Sequence, residues 1–381
     1  MKVITSIADL RDMARRRVPR ALFEYVDGGS YDEITLRRNR ADLDAIRLRP
    51  RALVDVARQN LATNLLGAPA AMPLALAPTG MAGYIRGDGE ILAARAAAAF
   101  GIPFCLSTVS ICSIEDVRAA SPAPFWFQLY VMKDRGYTAE LVDRAAAAGC
   151  PVLMMTVDIP VGALRRRDPK NGLSVPPRVT MNSALDLATK PRWVWHMLRS
   201  RHREFGNLAA AVRRAGGVPF AQFVQGQFDA SVTWKDLERF RAQWRGKLVI
   251  KGIMDPEDAR QAVALGADAL VVSNHGGRQL DGAPSSVSML PAVLDAVQGR
   301  AEVMLDSGIR CGQDILRARA LGASGALIGR PWLYGLGALG EAGVTTALEI
   351  LSRELQVSLA LTGCNDVNAL GSANLVQEKQ A

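Results

Sequence analysis

The chain has 381 residues, 49% hydrophobic and 22% charged, which is ordinary globular composition with ample material for a large core. Five cysteines with no C-x-x-C pair argue against a disulfide framework or a zinc centre and fit a reducing cytosol. The net charge of +9 fits a solvated basic surface, an anionic substrate or an anionic membrane face. Nucleic acid is not expected as a partner, because no zinc-finger, RNA-binding aromatic or basic heptad pattern is present.

Residues 1–65 read as a polar helical segment, strongly basic from Arg11 to Arg17. Met1–Leu10 lacks an apolar core of signal-peptide length. Nowhere do about 18 apolar residues run without a charge, so no spanning helix is expected. From residue 73 a rhythm begins. Short apolar runs, Pro73–Ala77, Phe104–Ser107, Trp126–Tyr130, Val152–Val157, Leu248–Lys251, Ala269–Ser273, Val303–Asp306 and Ala326–Gly329, predict eight buried strands. Between them, Gly89–Phe100, Ile114–Ala119, Tyr137–Ala148, Pro256–Leu265, Val287–Val297 and Gln313–Leu321 predict helices. Gly101, Gly149, Gly266 and Gly322 mark helix ends just before strands. Eight strand–helix units predict a (β/α)8 barrel, with residues 1–381 as a single domain. Residues 172–235 break the rhythm and predict a long loop insertion after the fourth strand, on the active-site face. The tail beyond about Gly371 is polar and is expected to be loose.

In such a barrel the C-terminal strand ends build the active site. Ionisable and polar residues gather at those ends here, where a purely structural barrel would avoid the cost of burying them. Gln128 and Tyr130 close the third strand, Thr156 and Asp158 the fourth, and Lys251 the fifth. The sixth ends Ser273-Asn274-His275-Gly276-Gly277-Arg278, the seventh Asp306-Ser307-Gly308-Ile309-Arg310, and the eighth Gly329-Arg330. Strands seven and eight often supply a phosphate site, for which Gly308 offers close backbone approach and Arg310 and Arg330 offer charge. Of three histidines, His196 and His202 lie in the basic insertion and are read as surface residues, whereas His275 follows a strand. His275 is therefore the candidate base, with Asp158 to hold its ring. Arg278 presents a fork suited to a carboxylate, Arg165 a second clamp, and Lys251 a buried positive charge.

The ordered set S-N-H-G-G-R-Q-L-D, T-V-D, K-G, D-S-G-I-R and I-G-R resembles the FMN-dependent L-2-hydroxy-acid oxidases and dehydrogenases. That family includes glycolate oxidase, mandelate dehydrogenase and respiratory L-lactate dehydrogenase. The resemblance runs from Tyr25-Val26-Asp27-Gly28-Gly29 to Leu361-Thr362-Gly363. It implies FMN as cofactor and His275 with Asp158 as the acid–base pair. It implies Tyr25, Tyr130, Arg165 and Arg278 around the substrate. Pro78-Thr79-Gly80, Ser107, Gln128, Thr156, Lys251 and Ser273 fall at flavin-ring and ribityl positions. Asp306, Ser307, Gly308, Ile309 and Arg310, with Gly329 and Arg330, fall at the ribityl-phosphate position. The resemblance also implies a homo-oligomer, commonly a tetramer.

Two positions bear on the acceptor and the acid. Gly80 stands where glycolate oxidases have Ala and mandelate dehydrogenase has Gly, which favours a dehydrogenase over an oxygen-using oxidase. Val109 stands where glycolate oxidase has Trp, leaving room for a substrate side chain. The stretch L-S-T-V-S-I-C-S-I-E is most similar to the lactate dehydrogenases, so L-lactate is the expected substrate. Lys190-Pro191-Arg192-Trp193-Val194-Trp195-His196-Met197-Leu198-Arg199 mixes aromatics, aliphatics and bases, as an interfacial membrane segment does. A quinone or cytochrome acceptor and a location in the cytoplasm, or peripheral on the inner face of the cell membrane, follow from that reading. A helix packed on the barrel or on a partner subunit is its alternative. Rival functions are an oxidase making hydrogen peroxide and a non-catalytic phosphate-ligand-binding barrel. An inosine monophosphate dehydrogenase-like enzyme would need a catalytic cysteine loop where His275 stands. Residues 1–65 lack the paired histidines of a haem-binding module.

Overall fold

All eight apolar runs form strands that pair in parallel. The computed structural model describes residues 3–173, 181–214, 216, 226–227 and 229–376. The barrel strands are Leu74–Leu76, Cys105–Ser107, Trp126–Leu129, Val152–Thr156, Lys247–Ile253, Ala269–Val272, Glu302–Leu305 and Gly325–Ile328. The second to eighth pair each with the next. The eighth returns to the first, with Ala326 opposite Leu74. A bridge between Leu76 and Phe104 joins the first strand to the second and closes the ring, giving a (β/α)8 barrel.

Period-2 alternation divides the strand side chains into two apolar layers. Cys105, Trp126, Val152, Met154, Val249, Ala269, Val271, Met304 and Leu327 fill the lumen. Leu74, Leu76, Leu106, Phe127, Leu153, Ile250 and Leu270 face outward into the helical ring. Parallel strands covered on both faces read as unbroken apolar runs, which is why the sequence betrayed them. Each fully buried leucine among them contributes about 1.5–3 kcal/mol relative to exposure.

The six predicted helices lie within two residues of their expected bounds. Gly101 ends the first of them in the left-handed region, at φ 82°, donating back to the carbonyls of Ala97 and Ala98. Three expectations are corrected. Residues 1–65 are helical only at Ile7–Arg17, Arg20–Asp27 and Ile34–Ala45. An antiparallel hairpin, Thr63–Leu65 with Ala68–Ala70, follows. Its Leu65, Leu66 and Ala70 join the lumen cluster, and Glu302 at the start of the seventh strand accepts from the Leu66 amide at 3.0 Å. The hairpin thus plugs the N-terminal end of the barrel. It is too short for a periodic signal.

The insertion is not a plain loop. It carries Met181–Ala188, Pro191–Arg199 and Ala209–Arg214, with the short helix Arg167–Lys170 just before it, and the helix preceding the fifth strand, Trp234–Gln243, begins inside its predicted range. Parts of 172–235 lie outside the described residues. Finally, the chain beyond Gly371 is docked rather than loose. Leu375 bridges Leu48, and the Val376 amide donates to the Arg47 carbonyl at 2.9 Å. The remainder of the predicted tail, residues 377–381, lies outside the described residues.

Candidate active site

The inward parity that places Cys105, Trp126, Met154, Val249, Val271 and Met304 in the lumen places residues two positions later at its C-terminal mouth. Those residues are Ser107, Gln128, Thr156, Lys251, Ser273 and Asp306, and all are buried. Lys251 Nζ sits 3.0 Å from Asp306 Oδ2 and donates to Ser273 Oγ at 3.0 Å. Ser273 Oγ donates to Asp306 Oδ2 at 2.8 Å. Burial alone would push the Asp306 carboxyl up, but Lys251 and Ser273 outweigh it and hold it below the usual carboxylate range. Burial likewise opposes the Lys251 charge, and Asp306 and Asp158 overcome it.

Among the described residues, five buried side-chain polar atoms have no partner, and three of them line this mouth: Thr79 Oγ1, Gln128 Nε2 and Thr156 Oγ1. Gln128 Oε1 accepts from Ser107 Oγ at 3.0 Å and from the Thr108 amide at 3.3 Å, which turns its NH2 group away without an acceptor. Orphaned buried donors cost about 1–3 kcal/mol each, so their clustering marks a polar ligand's seat.

His275 and Asp158 meet across the mouth. His275 Nδ1 lies 3.0 and 3.2 Å from the two Asp158 oxygens. Nδ1–H donating to a carboxylate leaves Nε2 as the acceptor, a tautomer inferred from the network. Burial pushes the His275 pKa down from 6.5, and Asp158 opposes without cancelling it. His275 also has φ 58°. A non-glycine residue there costs about 1–3 kcal/mol and points to a functional constraint. Its amide donates to Ser273 Oγ at 3.1 Å, and the Gly276 amide to Ser307 Oγ at 2.9 Å.

One contributor escaped the sequence reading. The fifth strand continues past Lys251 to Ile253, with a register shift at Gly252. A Cβ on Gly252 would fall 2.6 Å from Asp158 Cβ and 2.7 Å from its Cγ. Only glycine lets Asp158 approach. A glycine inside a strand run was the available signal.

Beside His275 the structure gathers Tyr25, Tyr130, Arg165 and Arg278. The guanidinium carbons of Arg278 and Arg165 lie 4.7 and 5.2 Å from the Tyr25 ring centre. Burial and the neighbouring Arg165 both push the Arg278 pKa down. Burial, with Asp158 and Tyr25 nearby, pushes the Tyr130 hydroxyl up. Arg278 Nη1 donates to the Tyr25 carbonyl and, at 3.1 Å, to the Gly28 carbonyl. Two clustered guanidiniums and two phenols suit a small carboxylate. Arg165 and its two successors are each paired: Arg165 with Asp168 at 2.8 Å, Arg166 with Asp32, and Arg167 with Glu33 at 2.6 Å. His202, read as a surface residue, is wedged between Asp88 at 2.8 Å and Asp116 at 3.3 Å.

On the other flank, Arg330 donates to the carbonyls of Val26, Gly276 and Gly28 at 2.8–3.0 Å. Burial, reinforced by Arg310, drives its pKa down to about 9. Among the described residues neither Arg310 nor Arg330 has an ion pair. Gly329 opens the helix Arg330–Leu339, which has no side-chain cap. A Cβ on Gly329 would touch only Thr79, at 3.6 Å. Excess positive charge at an uncapped helix N-terminus suits a phosphate. Ser307 and Gly308 both have positive φ, 79° and 94°, and shape the adjoining turn. Ile309 is buried in the outer apolar layer and offers only its backbone. Asp306 belongs with Lys251 rather than with this cationic end.

Pro78, Thr79 and Gly80 lead away from the first strand beside Val109. A Cβ on Gly80 would fall 2.6 Å from Val109 Cγ2 and 3.2 Å from its carbonyl oxygen. Gly80→Ala is therefore expected to destabilise the protein by about 1–3 kcal/mol in urea denaturation. Adding Val109→Ala should recover most of that loss, and strictly additive losses would disprove the contact.

Residues 14–377 match the FMN-dependent dehydrogenase family. The chain is 49% identical over 377 residues to an L-lactate dehydrogenase of Caulobacter vibrioides, covering 98% of each. It is 48% identical over 378 residues to an L-lactate dehydrogenase of Pseudomonas aeruginosa, covering 99% of each. The crystal structure of the monotopic membrane protein (S)-mandelate dehydrogenase superposes with a TM-score of 0.94 at 36% identity, over 99% of this chain and 100% of that one. A mandelate oxidase superposes with a TM-score of 0.84 at 36% identity, over 99% of each. With a family match spanning the barrel and relatives aligned along its whole length, the chain belongs to the FMN-dependent dehydrogenases, and its cofactor is FMN.

Proposed function

We propose that this protein oxidises L-lactate, or a close L-2-hydroxy acid, to the 2-keto acid and passes the electrons to a quinone or cytochrome. The observation that carries the reading is the strained His275 hydrogen-bonded to Asp158 beside Arg278, Arg165, Tyr25 and Tyr130. A barrel that merely held a phosphate ligand would need none of these. Arg278 and Tyr25 bind the substrate carboxylate, helped by Arg165 and Tyr130. His275 Nε2 takes a proton from the substrate, and Asp158 stabilises the imidazolium that forms. The residues present fit FMN: Thr79, Ser107, Gln128, Thr156, Lys251 and Ser273 would hold its ring and ribityl chain, and Gly308–Arg310 with Gly329–Arg330 its phosphate. When bound, FMN supplies two-electron acceptance. Fixing the substrate on Arg278 and Tyr25 supplies the orientation the reaction needs.

The test is anaerobic bleaching of the flavin with a panel of L-2-hydroxy acids, followed by admission of oxygen. L-lactate is expected to bleach fastest and reoxidation by oxygen to be slow. Fast reoxidation would instead establish an oxygen-using oxidase, and absence of bleaching by every acid would sink the assignment.

The insertion supports a peripheral contact with the inner face of the cell membrane. Among the described residues no helix is long and apolar enough to cross a membrane. Yet Met181, Leu185, Leu187, Trp195 and Leu198 are all exposed, Trp195 at 54% and Leu198 at 64%. Polar contacts pin the same segment to the protein. Asp186 accepts from the Arg20 amide at 2.7 Å, Lys190 donates to the Arg16 carbonyl at 2.9 Å, and Trp193 to the Tyr84 carbonyl at 2.9 Å. An anchored segment with apolar side chains turned outward suits an interfacial membrane contact better than packing on its own barrel. Trp195→Gln/Leu198→Gln is expected to abolish co-sedimentation with liposomes while preserving lactate-dependent dye reduction. Co-sedimentation equal to the parent's would remove the membrane reading.

A further inference from the structure

The helix Ile34–Ala45 lies outside the barrel, yet two consecutive residues of it reach the two halves of the site. Asn39 and Asn274 are both buried and exchange amides reciprocally. Asn39 Nδ2 donates to Asn274 Oδ1 at 2.8 Å, and Asn274 Nδ2 donates to Asn39 Oδ1 at 2.7 Å. Asn274 Oδ1 also accepts from the Gly277 amide at 3.0 Å, and Asn274 Nδ2 donates to the Pro284 carbonyl at 3.1 Å. Asn39 Oδ1 accepts from the Ser286 amide at 3.3 Å. The pair thus brackets His275, whose left-handed backbone persists only if its surroundings over-determine it.

The next residue turns to the other half. Arg40 Nη1 donates to the Gly308 carbonyl at 2.6 Å and to Asp314 Oδ2 at 2.5 Å. That Asp314 oxygen also accepts from the amides of Arg310 and Cys311, at 2.8 and 3.1 Å. Asp314 is fully buried and takes a second cation, Arg317, at 2.9 Å. The backbone between Gly308 and Cys311 is therefore held from both sides. The helix also packs directly on that turn: a Cβ on Gly308 would fall 2.6 Å from the Asn39 carbonyl oxygen.

We propose that Asn39 and Arg40 are positioning residues with separable duties. Asn39, through Asn274, holds the turn that carries the base His275. Arg40, through Gly308 and Asp314, holds the turn that receives the FMN phosphate. The proposal rests on the roles given above to His275 and to Gly308–Arg310. A helix that served only as packing would couple the two effects, because loosening it would disturb both turns together.

The experiment uses the full chain with Asn39→Ala, Asn39→Asp and Arg40→Leu. FMN and riboflavin affinities are read from flavin fluorescence, and the limiting rate of anaerobic flavin reduction by L-lactate is read at saturating FMN. Asn39→Ala is expected to slow reduction by about 10- to 100-fold, the scale of a small misplacement of a catalytic group, with both flavin affinities unchanged. Asn39→Asp keeps the acceptor contacts of Oδ1 but sets an oxygen against Asn274 Oδ1, so it should slow reduction as well. Adding Asn274→Ala to Asn39→Ala should slow reduction little further, since the two act as one unit. Arg40→Leu is expected to weaken FMN by about tenfold, leaving riboflavin affinity and the limiting rate as in the parent.

An Asn39→Ala protein that reduces at the parent's rate overturns the proposal, as does an Arg40→Leu protein that loses FMN and riboflavin affinity equally. Should Asn39→Ala not fold, Asn39→Asp carries the first arm by the same criterion. His275→Gln runs as the control. If it reduces at the parent's rate, the base assignment itself is wrong. If it is slow while Asn39→Ala is not, only the present proposal falls.

Discussion

His275→Gln is expected to slow anaerobic flavin reduction by L-lactate about 10²- to 10⁴-fold while FMN stays bound. Glutamine preserves size and polarity but cannot accept a proton at Nε2, so the loss reads the proton transfer rather than the packing. The pH profile sharpens the test. Burial lowers the His275 pKa from 6.5, so the neutral, proton-accepting ring persists below the pH at which a free histidine would charge. The acid limb of kcat/KM should accordingly lie below 6.5. Asp158→Asn removes the interaction that opposes this lowering. Its limb should move further to acid while its rate falls, because the imidazolium loses its partner. An acid limb above 6.5 in the parent would contradict the burial of the ring.

Lys251→Met should destabilise the apoprotein by about 3–5 kcal/mol, the range for removing one partner of a buried ion pair. Asp306 and Ser273 would remain with no cation at the centre of the mouth. The sign of the pH dependence should reverse with it. In the parent, Asp306 has a lowered pKa, so its contribution is present above the usual carboxylate range and is lost as pH falls through the lowered value. Without Lys251, burial governs and raises that pKa, so the variant should be relatively more stable in mild acid than at neutrality. Lys251→Met/Asp306→Asn should regain most of the loss. Urea denaturation at two pH values measures both effects, and a deficit that does not shrink in acid would show that Asp306 is not the residue left unpaired.

The barrel was legible because eight doubly buried strands leave unbroken apolar runs, and because parity then fixes which residues face the mouth. Gln128, Thr156, Lys251, Ser273 and Asp306 were readable as strand ends, whereas Ser107 came only from the resemblance. His275 with Asp158 followed from strand ends. Tyr25 did not, since nothing in a polar helical segment says which side chain will reach across the barrel. It came only from resemblance. Gly252 was missed because its role lies in what its absent side chain permits, and Asn39 because its partner is distant in sequence. The hairpin Thr63–Ala70 and the helices of the insertion other than Pro191–Arg199 were missed for lack of length or of an inward apolar stripe. Asp306 was placed with the ribityl-phosphate turn by the resemblance, and its carboxylate turns to Lys251.

The clasp between Arg330 and the carbonyls of Val26 and Gly28 spans more than 300 residues of chain. Loop-closure entropy makes such contacts slow to form. The strands can pair locally, each with its sequence neighbour, but the Val26 and Gly28 carbonyls beside Tyr25 meet Arg330 only when the first helices return to a strand made last. The substrate shell is therefore expected to be the final part of the molecule to fold. During synthesis, its opening residues must wait for the eighth strand to emerge before the site exists.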